Sequence, residues 1–124
     1  MEIQKAIMMF DALSQETRLR AFRLLVKAGP AGLAAGVLSE KLSTPHNTMS
    51  FHLSHLSNAG IIASRKEGRS VIYSANYDET RDLIAFMVED CCSSEFASIR
   101  EDGETGCSII ELSNCCEPAN PLNA

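Results

Sequence analysis

Glycine and proline divide the first 76 residues of this 124-residue chain into short segments, and this division constrains the fold more than any other feature. Gly29-Pro30, Pro45 and Gly60 separate stretches whose apolar residues recur with helical spacing. Gly68 instead lies between two short runs that contain Ile and Val, as in a β-hairpin. Because no short segment buries a core alone, we expect one small domain of short helices and a hairpin.

Periodicity and turn signals predict the following elements. The predicted helices cover residues 3–13, 14–28, 33–42 and 45–59, with a last amphipathic helix from Asp78, and the predicted strands cover residues 61–65 and 71–75. The predicted apolar stripes are Ile3, Ala6, Ile7, Phe10 and Leu13 in the first helix and Leu19, Phe22, Leu25 and Val26 in the second. Ser14 is the predicted N-cap of the second helix, and Thr44, followed by Pro45, is that of the fourth.

The fourth helix has two different faces. Met49, Leu53 and Leu56 recur at i, i+4 and i+7 and form an apolar stripe for the core. The other side carries mostly short hydrogen-bonding side chains, and the candidate DNA contacts are His46, Asn47, Thr48, Ser50, Phe51 and Ser54. Asn and Ser can pair with base edges in a major groove, whereas a solvated helix is more often lined with Lys and Glu. The alternative is a surface helix that happens to be rich in Ser and Asn.

Two helices joined by a short turn and followed by a hairpin form a winged helix-turn-helix. The predicted fold is therefore mainly α with a β-hairpin wing, in the α+β class. The hairpin carries the cations Arg65, Lys66 and Arg69, which can contact phosphates and position a protein on DNA without reading sequence. A turn with three cations is by itself usually a solvated loop, but its place after a helix-turn-helix favours a wing.

Charge is unevenly divided along the chain, whose formal net charge is −5. Residues 1–76 contain nine Lys/Arg and five Asp/Glu, a net charge of +4, while residues 77–124 contain two and eleven, a net charge of −9. Because the local field decides contact, the basic part can still meet a polyanion. We predict a DNA-binding and dimerisation domain over residues 1–92 and an acidic, cysteine-containing tail over residues 93–124.

Three classes of protein are disfavoured by the residues. No apolar stretch approaches the roughly eighteen residues of a membrane span. The N-terminus lacks the basic lead and apolar run of a secretory signal, so the expected location is the cytoplasm. An enzyme is disfavoured because no Gly-rich phosphate loop or paired catalytic carboxylates are evident and because His46, His52 and His55 all lie on the fourth helix.

Every cysteine lies after residue 90. The five thiols are Cys91, Cys92, Cys107, Cys115 and Cys116. An odd number cannot close into disulfides within one chain, and no pair has the C-x-x-C spacing of a zinc ribbon. Clustered thiols without histidine suggest binding of a soft, thiol-seeking ion. The alternatives are incidental tail thiols and a redox regulator that oxidises Cys91 and Cys92, which the strain of a vicinal disulfide disfavours.

Four motifs in order resemble the ArsR/SmtB repressors over roughly residues 3–92. They are residues 13–19 (LSQETRL), 47–53 (NTMSFHL), 58–62 (NAGII) and 67–73 (EGRSVIY). The resemblance implies a homodimeric winged-helix repressor that leaves its operator when a metal or metalloid ion binds. Relatives often have Arg or His at the position of Phe51, so this ring is expected to contact a thymine methyl group instead. His52, on the flank of the helix, is expected to be structural or to face phosphate.

The thiols discriminate among inducers. Arsenic repressors of this family carry a Cys-x-Cys pair in the helix equivalent to residues 36–42, which here contains no cysteine, and no histidine follows His55 for a zinc site. Glu89-Asp90-Cys91-Cys92 resembles instead a distinct arsenic-responsive subgroup with adjacent cysteines at the end of the last helix. As(III) binds three thiolates, here expected to be Cys91, Cys92 and Cys107, with Cys115 or Cys116 as alternatives.

The expected inducer is therefore As(III) or Sb(III), with methylarsenite and cadmium as alternatives. A protein that carries soft ions in the cytosol is the alternative function; it would not need the face at residues 46–54. The expected partners are a second copy and double-stranded operator DNA with an inverted repeat. The homodimer is predicted because the first and last helices carry more apolar residues than a small domain can bury. These residues are Ile3, Ile7, Phe10, Leu83, Ile84, Met87 and Val88.

Overall fold

The computed structural model describes residues 1–89. The helices are α1 (Ile3–Leu13), α2 (Glu16–Ala28), α3 (Ala35–Lys41), α4 (His46–Asn58) and α5 (Tyr77–Val88), and the strands are β1 (Leu33–Ala34), β2 (Ile62–Glu67) and β3 (Ser70–Ala75). A single 3₁₀ turn, Gly29–Ala31, links α2 to β1. Residues 1–80 form one compact unit, and residues 81–89, the remainder of α5 and Glu89, belong to a second. The predicted boundary between residues 92 and 93 lies outside the described residues.

The sheet is a three-stranded antiparallel one with the order β1-β3-β2. The predicted hairpin is confirmed. Compared with the prediction, β2 extends two residues further toward the turn and β3 begins one residue earlier, so that Glu67 lies opposite Ser70. The prediction of a helix from residue 33 was wrong at its start, because Leu33 and Ala34 pair with Tyr73 and Ile72. Gly32, at φ 72°, permits this approach: a Cβ there would collide with the Tyr73 carbonyl oxygen.

Two predicted helix caps were wrong by one residue. The Ser14 hydroxyl donates to the carbonyl of Asp11 at 2.6 Å and so closes α1, while Gln15 caps α2 by accepting from the Arg18 N–H. The Thr44 hydroxyl likewise donates backward, to the Leu42 carbonyl, and the N-cap of α4 is Pro45. Both short side chains find carbonyls of the preceding helix within reach, and this local competition decides the cap.

The core of the first unit is built around α4. Its predicted inward stripe is confirmed, since Met49, Leu53 and Leu56 are fully buried. The remaining large side chains with almost no exposure are Met9, Leu25, Leu38 and Ile61. On α2, Phe22 and Leu25 are buried as predicted, whereas Leu19 and Val26 are exposed.

Burial divides the predicted apolar stripe of α1. Ala6 is buried together with Met9 and Ala12, while Ile3, Ile7 and Phe10, which are also predicted for the dimer interface, are exposed. Both faces of α1 carry apolar residues, so the periodicity of the sequence emphasises the face with the larger side chains. Small Ala side chains let α1 approach α2 and α4 closely, and the bulky stripe is therefore left outside. Within residues 1–89, no helix is long and apolar enough to span a membrane.

Candidate nucleic-acid interface

The outer face of α4 presents the side chains that the sequence assigns to DNA. Burial of Met49, Leu53 and Leu56 fixes the rotation of the helix about its axis. All six candidates are exposed: His46, Asn47, Thr48, Ser50, Phe51 and Ser54. An α-helix fits the major groove, which is about 12 Å wide, and short polar side chains let it approach the bases. The structure therefore brings the predicted residues together on one accessible helix.

Asn47 lies in the first turn of α4 with most of its hydrogen-bonding capacity unused. Its Oδ1 accepts from the Thr48 N–H at 3.0 Å. A carbonyl oxygen has a second lone pair, and both Nδ2 protons are without a partner among the described residues. The side chain can therefore accept from and donate to one adenine edge at once.

Phe51 stands out from this polar face. Its side chain is 69% exposed, and its ring meets the edge of His52 in a T-shaped contact with centroids 6.4 Å apart. Asn47 lies one turn before it and Ser54 one turn after it on the same side of α4. The ring is therefore the largest apolar feature of the candidate interface.

His52 connects the recognition face to the junction between α1 and α2. Its Nδ1 lies 3.3 Å from Nη1 of Arg18, whose Nε donates to the Ala12 carbonyl at 2.7 Å. Burial lowers the pKa of His52 below 6.5, and the charges of Arg18 and His55 lower it further. The imidazole is therefore held in its neutral form with Nδ1 as acceptor, which fits a structural role.

A second polar contact ties α4 to α1. His55 Nε2 lies 3.1 Å from Oδ2 of Asp11, 44 residues earlier in the chain. Neither Arg18 nor the Asp11–His55 pair was identified as functional from the sequence. The motif at residues 13–19 contains Arg18, so family resemblance could have drawn attention to it, but no spacing rule predicts its partner.

The wing divides its three cations into two kinds. The Arg65 guanidinium donates to the carbonyls of Pro30 at 3.2 Å and Ala31 at 2.6 Å, and it also pairs with Glu67. These contacts attach β2 to the 3₁₀ turn and occupy the Arg65 guanidinium, whose phosphate role stays a prediction. Lys66 and Arg69 are exposed and make no hydrogen bond or ion pair with any described residue. They remain the candidates for phosphate contact.

A cleft of about 830 Å³ on the first unit gathers further positive charge. Its cations are Arg20, Arg23, Lys27 and Lys41. Arg20 is also paired with Glu16 one turn earlier, at 3.3 Å. Together with Lys66 and Arg69, these groups account for most of the basic character of residues 1–76.

The predicted thiolate site depends on cysteines near the end of the chain. Cys91, Cys92, Cys107, Cys115 and Cys116 all lie outside the described residues. Among residues 1–89, no group of three or more His, Cys, Asp or Glu side chains is placed to hold a metal ion. The predicted ion site therefore depends on the chain beyond Glu89.

Comparisons with known proteins agree with the geometry. Residues 13–65 match a helix-turn-helix domain family. The helix-turn-helix-type transcriptional regulator MJ1325 of Methanocaldococcus jannaschii is 33% identical over 86 residues, 69% of this chain and 94% of the relative.

Two solved structures are similar over most of the chain. HlyU from Vibrio cholerae has 28% identity and a TM-score of 0.58 and covers 75% of this chain and 100% of its own. An ArsR-like transcriptional regulator from Rhodococcus sp. has 27% identity and a TM-score of 0.62, with coverages of 83% and 96%. Both solved structures therefore share the fold of the described residues.

The lowered pKa of His52 predicts a pH-dependent stability. Between that lowered pKa and 6.5, the unfolded chain binds more protons at this site than the folded one, so stability decreases as pH falls through this interval. Replacement His52→Asn retains an acceptor toward Arg18 without a titrating group. We expect its free energy of unfolding, measured by urea denaturation at pH 7.5 and 5.0, to change less with pH than that of the unaltered protein.

His46→Asn is the matched control, because His46 is an exposed histidine on the same helix. It should leave the pH dependence of the unaltered protein in place. An undiminished pH dependence in His52→Asn would show that burial of His52 contributes nothing to it.

Proposed function

Because this chain belongs to the ArsR family of helix-turn-helix transcriptional regulators, we propose that it represses transcription and is released from its operator by arsenite. The observation that carries the DNA-binding part is the two-faced α4: three fully buried residues hold it, and six exposed candidates face outward. As(III), bound by thiolates after α5, is the proposed inducer. Sb(III), methylarsenite and cadmium share its preference for sulfur and are the alternative inducers.

The wing and α4 divide the work of binding DNA in this proposal. The side chains of Lys66 and Arg69 have no ion-pair partner among residues 1–89 and meet phosphates, which supplies salt-dependent affinity and fixes orientation. Asn47 and Ser50 read base edges. Arg65 positions the wing through the carbonyls of Pro30 and Ala31.

The proposed active form is a homodimer that uses the first and last helices. On α1, Ile3 is 60% exposed, Ile7 and Met8 are each 51% exposed, and Phe10 is 42% exposed. On α5, Met87 is 54% exposed. Such apolar side chains are typical of an interface when they are contiguous on one helix. Two copies would place two α4 helices roughly 34 Å apart, so the proposed operator is an inverted repeat.

Carboxylates on the outer face of α1 should separate the dimer. We expect the Ile3→Glu/Ile7→Glu variant to sediment as a monomer at micromolar concentration, because an unpaired carboxylate is costly to bury. Val37→Glu is the control, since Val37 is an apolar residue on α3 that is also exposed, at 36%. It should remain a dimer. A double variant that still sediments as a dimer would exclude α1 from the interface.

Base contacts and phosphate contacts should respond differently to mutation. Asn47→Ala should weaken binding to the selected operator by about 1–3 kcal/mol while leaving non-specific binding unchanged. Arg69→Ala should weaken binding to every sequence and reduce the slope of log affinity against log salt by about one. Fluorescence anisotropy with operator and scrambled duplexes at several salt concentrations measures both effects.

Asn58→Ala is the matched control for Asn47→Ala, because Asn58 is the exposed last residue of the same helix. It should retain operator affinity. If Asn47→Ala weakened specific and non-specific binding equally, the base-reading role would be wrong.

The inducer site predicts which cysteines matter. Cys91→Ser and Cys92→Ser should each still bind operator but fail to leave it with arsenite, because three thiolates are needed. Cys107→Ser should behave likewise. The Cys115→Ser/Cys116→Ser variant, which removes as many thiols as a Cys91→Ser/Cys92→Ser variant, should respond normally. Gel shifts on the upstream region of the protein's own gene, titrated with arsenite, antimonite, cadmium and zinc, give the readout.

A hundredfold loss of operator affinity requires a coupling free energy of about 2.7 kcal/mol between the two sites. Normal release of a protein lacking both Cys91 and Cys92 would refute the site. Ion binding by a protein that recognises no DNA sequence would favour the alternative of a soft-ion carrier.

A further inference from the structure

We propose that Phe51 reads the C5-methyl group of a pyrimidine in the major groove, so that the protein prefers thymine or 5-methylcytosine to unmethylated cytosine at that position. The inference rests on the proposed DNA-binding function and adds a sequence determinant to it. Methylation of cytosine in the operator would then alter binding directly.

Phe51 presents an isolated apolar surface on the candidate interface. At 69%, Phe51 is the most exposed large hydrophobic side chain among residues 1–89, ahead of Ile3 at 60%. Unlike Ile3, it has no apolar neighbours on its own helix face, where Asn47, Ser50 and Ser54 surround it. A face of this kind resembles a DNA-reading surface more than a protein interface, whose centre is usually apolar.

The ring is supported at its base. Phe51 contacts the edge of His52, with an angle of 70° between the rings. His52 is in turn held by Arg18, and Arg18 by the Ala12 carbonyl. This series of contacts favours a ring that projects from α4 in one direction, which a specific contact needs.

The chemistry of the groove leaves one target for such a ring. Thymine alone among the four bases carries an apolar methyl group on its major-groove edge; apart from small ring C–H groups such as that of cytosine C5, the other groups there are hydrogen-bond donors or acceptors. A phenyl ring against a donor or acceptor would remove water from it without replacing the hydrogen bond. Against a methyl group, the ring buries apolar surface on both sides. 5-Methylcytosine carries its methyl group on the same ring carbon.

The test uses a duplex selected from a random library by the unaltered protein. Each thymine is replaced in turn by uracil, which removes only the methyl group, and each cytosine by 5-methylcytosine. At one position in each half-site, we expect uracil to weaken binding about fourfold, the factor that corresponds to one buried methyl group. Where cytosine replaces that thymine, methylation should restore most of the affinity.

Phe51→Ala should bind the thymine and uracil duplexes equally, within about twofold, while Asn58→Ala, at the exposed end of the same helix and outside the six candidate contacts, should keep the discrimination. Circular dichroism and sedimentation of Phe51→Ala check that its fold and assembly are unchanged. The inference is overturned if replacing thymine by uracil weakens binding at no position of the selected duplex, or if it weakens the binding of Phe51→Ala as much as that of the unaltered protein. Either result leaves the proposed function standing.

A change in the assembly of Phe51→Ala with unaltered DNA discrimination would make Phe51 a protein contact and also overturn the inference. If the unaltered protein enriches no sequence from the library, the proposed function fails and this inference fails with it.

Discussion

The Arg18 guanidinium is the contact on which the geometry of the DNA-facing surface depends. It binds the last turn of α1 through the Ala12 carbonyl and α4 through His52. The Gln15 side chain holds the Arg18 backbone N–H at the start of α2. One side chain therefore fixes three helix segments relative to one another, and the rotation of α4 sets which residues can reach a base. A lysine could not replace it, because these donors lie in the fixed fork of a guanidinium.

Hydrophobic periodicity and turn residues predicted most of the helices and strands. The features that they missed depend on contacts with residues distant in the sequence. The bounds of α1 and the buried stripe Met49, Leu53 and Leu56 follow from periodicity and from the flanking breakers. Strand β1 could not be predicted, since its two residues are extended only because β3, about 40 residues later, pairs with them. The buried face of α1 was predicted only in part: Ala6 lies on the predicted stripe, whereas the burial of Met9 and Ala12 depends on close packing, which hydrophobicity does not reveal.

For the candidate site, the sequence predicted which residues would be accessible but not how they are held. The exposed face of α4 could be inferred because the opposite face is apolar. The three wing cations are equivalent in sequence, yet Arg65 is occupied by two carbonyls more than 30 residues away and Lys66 and Arg69 are not. Hydrogen bonds between residues so far apart in the chain produce no periodic pattern in the sequence. The thiolate site stays a prediction, because its residues lie beyond those that the structure describes.

In the proposed repressor, α1 is the element best placed to transmit a change at the dimer interface to DNA. Its outer face is apolar and exposed. It is joined to α4 directly by the Asp11–His55 pair and indirectly by Arg18 of α2, which binds both the Ala12 carbonyl and His52. The Asp11–His55 pair is largely exposed and contributes less than about 1 kcal/mol. The Arg18–His52 contact contributes about 1 kcal/mol more, so together they fall short of the roughly 2.7 kcal/mol that hundredfold release requires. The remainder must come from packing, for which fully buried Met9 is the candidate, since a small shift of α1 would open a cavity around it. Polar contacts would then fix the direction of the movement of α4, and packing would supply most of its free energy.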